Sequence, residues 1–277
     1  MNDPEIHFSK RSARRGWLRP WVLLIATLGL GASNYGAEPL RDSAFADKGE
    51  GKALVEDLLT RRPPENTEIL GLLKMRPMEG SMIEVPIKMV VRVTAEGWED
   101  IYQTQPVGPR LGEIFVVRHH GTKPSEYLFG EFEKPKEAPH PQPIEASQLF
   151  RPLAGLDFFL VDLGMEFLHW PSQKIIKKEM RKSRSCRVVE STNPHPSPES
   201  YARVLSWIDF ETGNLVMAQA YDASNRLLKE FSIRKISRDE GKVQLKEIEM
   251  RNEQTDARTR LEFNLELPKE AEQGPVK

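Results

Sequence analysis

Alternation of apolar and polar side chains at every second position is the pattern that most constrains this chain. Within residues 83–93, six alternating positions are apolar: Ile83, Val85, Ile87, Met89, Val91 and Val93. A period of two places these side chains on one face of a long, half-buried strand. Residues 66–75 are also rich in apolar side chains and lead into that strand through a short Pro- and Gly-containing segment. The two segments therefore predict a β-hairpin.

Strands separated by turns are predicted through most of the rest of the chain. Further strands are predicted over 98–105, 111–119 and 126–132. From Gln173 onward, the predicted strands lie near 173–181, 185–192, 201–209, 214–222, 226–237, 242–251 and 257–267. Regular spacing of this kind is typical of an all-β meander. The apolar phase changes between Leu245 and Ile248, which predicts a β-bulge at that point.

Only two segments have helical spacing. Residues 48–59 place Leu54, Leu58 and Leu59 on one face, and the prolines at 63 and 64 end the helix. Residues 153–170 predict a second, short helix that stops before Pro171. About eleven one-sided strands and two helices predict a mainly β fold. We expect a curved, unclosed antiparallel sheet with the helices covering its apolar face.

The first 37 residues have the pattern of a secretory signal peptide. Five Lys or Arg side chains precede an apolar run at 21–30, and mostly small residues follow as far as Ala37. The run is about ten residues long, whereas a membrane-spanning helix needs roughly 20. We therefore predict export to the periplasm and cleavage after Ala37, with cleavage after Ser33 as the alternative. An uncleaved N-terminal anchor is the competing interpretation.

Arg14-Arg15 also lies close to the twin-arginine export pattern, which gives an alternative export route. After the predicted signal peptide we expect a linker at 38–47 and a single domain at 48–267. A Pro-rich loop at 135–143 interrupts that domain, and a disordered tail is predicted at 268–277.

Composition excludes some classes of function. The formal charge of the chain is −1, and the part after residue 37 carries −4. An acidic chain of this kind is not a nucleic-acid binder by its overall charge. Cys186 is the only cysteine, so an intramolecular disulfide is excluded, and the thiol is predicted to be buried and inert.

No catalytic or cofactor-binding motif is recognisable in the sequence. His119 and His120 are adjacent on a predicted strand, so they point to opposite faces and cannot bind one metal ion together. His169 is expected to pack or cap the second helix, where Asp157 and Asp162 also have capping roles. We therefore predict a protein that is not an enzyme and that holds no metal or organic cofactor.

Several stretches together resemble the outer-membrane lipoprotein-sorting proteins, which include the periplasmic lipoprotein carrier and an uncharacterised spirochaete protein. The stretches are residues 152–158, 162–171 and 206–213, together with Ala220-Tyr-Asp222. The most specific part is a Trp-Ile-Asp-x-Glu-Thr turn followed by the strand from Tyr221 to Lys229. The resemblance covers roughly residues 50–267, and its motifs are structural rather than catalytic.

That resemblance implies a half-barrel with helices as a lid over an apolar cavity. It implies a non-catalytic carrier whose cavity holds lipoprotein acyl chains or another lipid during outer-membrane sorting. The implied partners are an inner-membrane release complex and an outer-membrane receptor.

Strand phase suggests which side chains line such a cavity. The candidates are Val85, Ile87, Met89, Val91, Phe115, Val117, Trp207, Phe231, Leu261 and Phe263. Two alternatives remain open at this point. A sheet with a filled core would suit an envelope structural or interaction protein, and a catalytic triad assembled from distant residues would suit a lipid- or cell-wall-acting hydrolase.

Overall fold

The structure is a computed structural model that describes residues 49–77, 80–134, 139–239 and 242–263. The predicted signal peptide, the linker at 38–47 and the tail at 268–277 lie outside the described residues. Part of the predicted Pro-rich loop, residues 135–138, also lies outside them.

One antiparallel sheet contains all thirteen strands of the described residues. They are β1 (Thr67–Arg76), β2 (Ile83–Val93), β3 (Trp98–Thr104), β4 (Gly112–His120), β5 (Lys123–Phe132), β6 (Gln142–Pro143), β7 (Ser172–Arg181), β8 (Arg184–Thr192), β9 (Arg203–Asp209), β10 (Leu215–Tyr221), β11 (Leu227–Asp239), β12 (Lys242–Asn252) and β13 (Arg258–Phe263). The strands predicted from the sequence are confirmed, with shifts of a few residues at their ends, and residues 264–267 of the last predicted strand lie outside the described residues.

The sheet is open. Its order is β6-β5-β4-β3-β2-β1-β13-β12-β11-β10-β9-β8-β7, so β6 and β7 form its two edges. Strands that follow one another in the chain pair as neighbours within each half of the sheet. The pairing of β1 with β13 joins the two halves, with Gly71 opposite Phe263. The predicted β1–β2 hairpin is confirmed.

The predicted bulge is also confirmed. The register between β11 and β12 shifts around Lys235, opposite Glu247. Because of this shift, Leu245 and Ile248 are both buried in the same core cluster although they are three residues apart. An irregularity of this kind bends the sheet.

A contact between the β7–β8 turn and β11, next to the bulge, shows how strongly the sheet curves. In a flat sheet, β8 and β11 would lie about 14 Å apart, because neighbouring strands are separated by about 4.8 Å. The turn between β7 and β8 nevertheless reaches β11, where Lys182 Nζ donates a hydrogen bond of 2.6 Å to the carbonyl oxygen of Ile233. The sheet therefore curls towards this contact.

The first helix forms as predicted. Helix α1 (Glu50–Thr60) packs Leu54, Val55 and Leu58 into the core. It lies close against β7, because a Cβ on Gly51 would come within 2.7 Å of the carbonyl oxygen of Gln173. Among the described residues, no helix has the length and hydrophobicity of a membrane span.

The second predicted helix, over 153–170, is wrong as a single element. Ala154 and Met165 adopt left-handed backbone angles, with φ of 51° and 47°, and each of them interrupts helical geometry. The segment instead contains two 3₁₀ turns, Leu153–Gly155 and Glu166–His169, and one short helix between them, α2 (Leu160–Gly164). Another 3₁₀ turn, Ala146–Phe150, precedes the segment. We call residues 146–170 the cover segment, because they lie across one face of the sheet.

The main core lies between that face, α1 and the cover segment. From the cover segment, Leu149, Leu153 and Phe158 are almost completely buried in it. Two smaller clusters lie on the opposite face of the sheet, around Val116 and around Trp207.

The Pro-rich loop differs in part from the prediction. Gln142 and Pro143 form the short edge strand β6, which pairs with Phe129 and Leu128 of β5. Proline is tolerated there because an edge strand does not need every backbone N–H in the ladder.

Gly97 gives a direct test of the close approach between β3 and β4. A Cβ at this position would lie 1.9 Å from the carbonyl oxygen of His119. We expect Gly97→Ala to lower the free energy of unfolding by about 1–3 kcal/mol, as overpacking commonly does. Urea denaturation measures the change. Glu96→Ala, at the exposed position next to Gly97, is the control, and equal stability of both variants would contradict this packing.

Candidate functional site

An apolar cleft lies between the cover segment and strands β9–β12. The space inside it that a water-sized molecule can occupy is about 30 Å³, and the volume reaches about 460 Å³ only when open solvent at its mouth is counted. Its lining residues are Phe158, Asp162, Leu163, Phe167, Tyr201, Val204, Leu215, Ala218, Ala220, Lys229, Phe231 and Met250. A concave apolar site with few polar groups is the usual form of a small-molecule site.

Two alanines on β10 create much of this space. Ala218 and Ala220 face the core side of the sheet at alternate positions and are buried. Ala218 lies opposite Phe231, and Ala220 lies between Val204 and Lys229 in the neighbouring strands. Their methyl groups are much shorter than the side chains around them, so the cover segment does not fill the space above β10.

Lys229 is the only basic side chain in the cleft lining, and it is only 4% exposed. Its Nζ donates a hydrogen bond of 2.6 Å to the carbonyl oxygen of Asp157. The same Nζ lies 3.7 Å from Asp162 Oδ2 and 2.9 Å from the centre of the Phe159 ring. All three partners belong to the cover segment, so Lys229 attaches that segment to β11.

Asp162 completes the polar group in the cleft. Its carboxylate accepts hydrogen bonds from the Phe159 backbone N–H at 2.8 Å and from the Tyr201 hydroxyl at 3.0 Å. The first of these bonds closes the start of α2 and confirms the capping role predicted for Asp162. Lys229 on β11 and Tyr201, two residues before β9, therefore hold the same carboxylate.

Burial opposes the charges on this pair. It lowers the pKa of Lys229 to about 8, although the nearby Asp162 and Asp157 act in the opposite direction. Burial also raises the pKa of Asp162 above its ordinary value, and Lys229 opposes that shift. A buried pair of this kind contributes little net stability, because removing both charges from water offsets most of their attraction. Its main effect is to fix the position of the cover segment.

A second set of polar contacts attaches the cover segment to other strands. The Ala154 N–H donates to Glu113 Oε2 on β4 at 2.7 Å. The Thr259 hydroxyl on β13 donates to Asp157 Oδ2 at 2.8 Å. The segment is therefore held by separate polar contacts along its length, in addition to its apolar packing.

One of the ten cavity candidates from the sequence lines this cleft, namely Phe231. Eight others lie on the same face of the sheet but are packed in the main core: Val85, Ile87, Met89, Val91, Phe115, Val117, Leu261 and Phe263. A ligand-binding role for these residues stays a prediction. Ala218 and Ala220 were not among the candidates, although alanines at core-facing strand positions are a signal of open space.

Trp207 requires a correction, because its side chain lies on the opposite face of the sheet. It packs with Cys186, Val188 and Leu205, and its indole N–H donates to Glu179. The phase of β9 was ambiguous because both of its faces are apolar, as Val204 and Leu205 show. Alternation alone therefore could not assign the indole to a face.

A Ser–His contact that the sequence analysis missed joins the cover segment to β5. His169 Nε2 lies 3.2 Å from Ser125 Oγ. Burial, together with nearby His119, lowers the pKa of His169 to about 4, so the ring is neutral near pH 7. In the part of the chain that the structure describes, no carboxylate forms a hydrogen bond or an ion pair with His169. The contact therefore lacks the third group that orients a catalytic histidine.

The remaining candidates for chemistry have structural contacts. His119 is buried, stacks on Trp98 at 4.7 Å between ring centres, and lies 2.9 Å from Asp100 Oδ2. Cys186 is buried as predicted, and burial raises the pKa of its thiol to about 11. Across the described ranges, no group of three or more His, Cys, Asp or Glu side chains is placed to hold a metal ion.

Comparison with known proteins places this architecture. A family model described as an uncharacterized protein matches residues 137–267. No curated protein sequence matches the chain.

A DUF1329 family protein from Desulfovibrio piger is 14% identical, with a TM-score of 0.59, over 77% of this chain and 90% of that one. A LolA superfamily protein from Nitrosomonas europaea is 15% identical, with a TM-score of 0.53, over the same shares. The fold is LolA-like.

A third structure supports the same assignment. An outer membrane lipoprotein-sorting protein domain from Vibrio parahaemolyticus is 16% identical, with a TM-score of 0.58, over 78% of this chain and 91% of that one. Likeness at this level of identity shows the LolA-like fold and no more. It confirms the resemblance noted in the sequence and the expected open, mainly antiparallel sheet with few short helices.

The lowered pKa of Lys229 predicts a pH-dependent contribution to stability. Because the folded pKa is about 8 and lies below the ordinary lysine value, the unfolded chain binds more protons than the folded one above pH 8. Stability supplied by this group therefore rises with pH. Relative to the Lys229→Met variant, the free energy of unfolding of the original protein should rise by about 1 kcal/mol between pH 7 and pH 9. Urea denaturation at both values measures this difference.

Lys235→Met is the control, because Lys235 is exposed and lies on the same strand. Its stability difference from the original protein should not change over the same interval. The same pH slope for both variants would contradict a buried, charged Lys229.

Proposed function

We propose that this protein is a non-catalytic carrier that binds an acyl chain of a lipoprotein or another lipid in the apolar cleft. The observation that carries this proposal is the small apolar cleft above Ala218 and Ala220 in a LolA-like fold. Moving a hydrocarbon chain from water into such a site releases about 0.8 kcal/mol for each buried CH₂ group.

The attachment of the cover segment suggests how a longer chain enters. Part of the enclosed space opens to solvent, and one wall consists of Phe158, Leu163 and Phe167 from the cover segment. The segment contains no strand of the sheet, so its movement away from the sheet would break its polar contacts and apolar packing but would not unfold a strand. We propose that this movement enlarges the cleft and exposes the apolar face of β11 and β12.

We propose that the carrier acts in the periplasm, in the sorting of lipoproteins or other lipids to the outer membrane. The LolA-like fold and the solved outer membrane lipoprotein-sorting domain support this setting. The signal-peptide pattern of the first 37 residues supports export. An inner-membrane release complex and an outer-membrane receptor are the proposed partners.

One observation favours a second function. The core face of strands β2 and β4 is filled by the protein's own side chains, and Val91, Phe115 and Val117 have no exposed surface. A structural or interaction protein of the cell envelope would need only such a filled core. This alternative predicts no saturable binding of hydrocarbon chains.

Replacing Ala220 with phenylalanine tests the proposed cleft. The larger ring would occupy the space above β10, so we expect the affinity for a fluorescent fatty acid to fall at least about tenfold, which corresponds to about 1.4 kcal/mol. The measurement is the fluorescence of cis-parinaric acid titrated with delipidated protein.

The matched control is Ala223→Phe, which introduces the same side chain at an exposed position three residues along the chain. It should bind the probe as the original protein does. Thermal unfolding of both variants shows that the difference is not a loss of folding. Absence of saturable binding to the original protein would refute the carrier function and favour the filled-core alternative.

A further inference from the structure

The β7–β8 hairpin extends beyond the short strands β9 and β10, and its turn contacts β11 at one edge of the molecule. The β7–β8 turn contains Lys182 and Ser183, both with left-handed φ, which suits a tight two-residue hairpin turn. Lys182 contacts β11 through the carbonyl oxygen of Ile233. We call residues 177–184 and 234–236 the basic rim.

The basic rim concentrates positive charge in a chain that is otherwise acidic. It contains seven Lys or Arg side chains and one Glu. Glu179 pairs with two of the cations, Lys177 at 2.8 Å and Arg181 at 3.2 Å.

Carboxylates outside the rim neutralise only part of the remaining charge. Asp209 pairs with Arg184, and Glu249 lies 3.9 Å from Arg234. Partial burial lowers the pKa of Lys182, and the charge of neighbouring Arg234 lowers it further, whereas Glu230 and Glu249 raise it. Glu247 lies opposite Lys235 across the β11–β12 ladder, and Lys178 also has an interaction partner. Among the described residues, the seven cations still outnumber the five carboxylates named here, so positive charge predominates on this edge.

Exposed apolar side chains lie among these cations. Met180 is 57% exposed and Ile236 is 44% exposed. Phe210, which is 52% exposed, lies next to the rim, because its N–H donates to the carbonyl oxygen of Ser185 at 2.8 Å. The edge thus combines positive charge with apolar side chains that are about half exposed.

We propose that the basic rim docks this protein on a bilayer surface that carries anionic phospholipid headgroups. Each Lys or Arg close to such a surface improves partitioning about fivefold. The apolar side chains between the cations enter the boundary between headgroups and acyl chains. Since the rest of the chain is acidic, an anionic bilayer repels other faces and selects this edge.

The position of the rim also relates docking to the cleft. Phe231 lines the cleft, and Ile233, which accepts the Lys182 hydrogen bond, is two residues further along β11. Docking at the rim would bring a bilayer next to this side of the cleft. The docking proposal does not rest on acyl-chain binding, because the charges and exposed side chains of the rim lie outside the cleft lining.

Sedimentation with lipid vesicles tests the proposal. The vesicles contain phosphatidylethanolamine with phosphatidylglycerol, and neutral vesicles contain phosphatidylcholine alone. All proteins are purified from the cell envelope in the same way, so that they carry the same N-terminus. The rim variant combines Arg181→Gln, Lys182→Gln, Arg234→Gln and Lys235→Gln. The control variant removes four charges elsewhere: Lys52→Gln, Arg92→Gln, Lys123→Gln and Arg258→Gln.

We expect the original protein to bind the anionic vesicles, to bind the neutral ones at least about tenfold more weakly, and to release as salt increases. The rim variant should lose at least about tenfold in partitioning, and the control variant should lose less than about threefold. Equal losses for the two variants, equal binding to both kinds of vesicle, or no binding by the original protein would each overturn the proposal. The last outcome would also favour an acidic protein as the partner of this edge.

A single substitution keeps the test valid if the rim variant does not fold. Lys235→Glu changes one exposed side chain and should reduce partitioning at least about fivefold, while Lys123→Glu should leave it within about twofold. Equal effects of these two substitutions would overturn the proposal. Binding of cis-parinaric acid, measured without vesicles, should be unchanged in the rim variant, so that failure of docking is distinguished from failure of the carrier function.

Discussion

The burial of one apolar face of an open sheet is the constraint on which the rest of this structure depends. A sheet with two free edges cannot bury that face against itself completely, so another part of the chain must cover it. Helix α1 and the cover segment do this, and the side chains of Leu149, Leu153 and Phe158 fill the space over the sheet. Over β10 the short side chains of Ala218 and Ala220 prevent complete filling. The cleft is therefore a local result of side-chain size within an otherwise packed core.

The polar contacts of the cover segment give this apolar arrangement a defined position. Lys229, Tyr201 and Glu113 each reach the segment from a part of the chain outside it, and each contact involves a buried or half-buried group. Apolar packing alone is not directional and would tolerate small displacements of the segment. A buried lysine–carboxylate pair does not tolerate such displacements, because moving either partner leaves a charge without compensation. The same contacts would have to break, or be replaced, when the segment moves for a ligand.

Much of the fold was predictable from the sequence, because it depends on a period of two. The strands, the β1–β2 hairpin and the bulge between Leu245 and Ile248 all follow from that pattern. The cover segment was not predictable as it stands, since the left-handed angles at Ala154 and Met165 depend on tertiary contacts that override helical spacing. The face of Trp207 was misassigned because β9 is apolar on both sides. An apolar cavity was expected, but most of the residues that line the cleft were missed, because the space follows from the short side chains of Ala218 and Ala220 and because Lys229 meets Asp162 only in the folded chain.

The most direct test of the carrier account is mass spectrometry of the lipids that accompany the protein when it is purified from its native envelope without detergent. The account predicts a lipid or lipoprotein-derived acyl chain in an amount approaching one per protein. It also predicts that the amount falls sharply in protein whose cleft is filled by a larger side chain at position 220. Recovery of no lipid above the background of an unrelated envelope protein, from both forms alike, would contradict it.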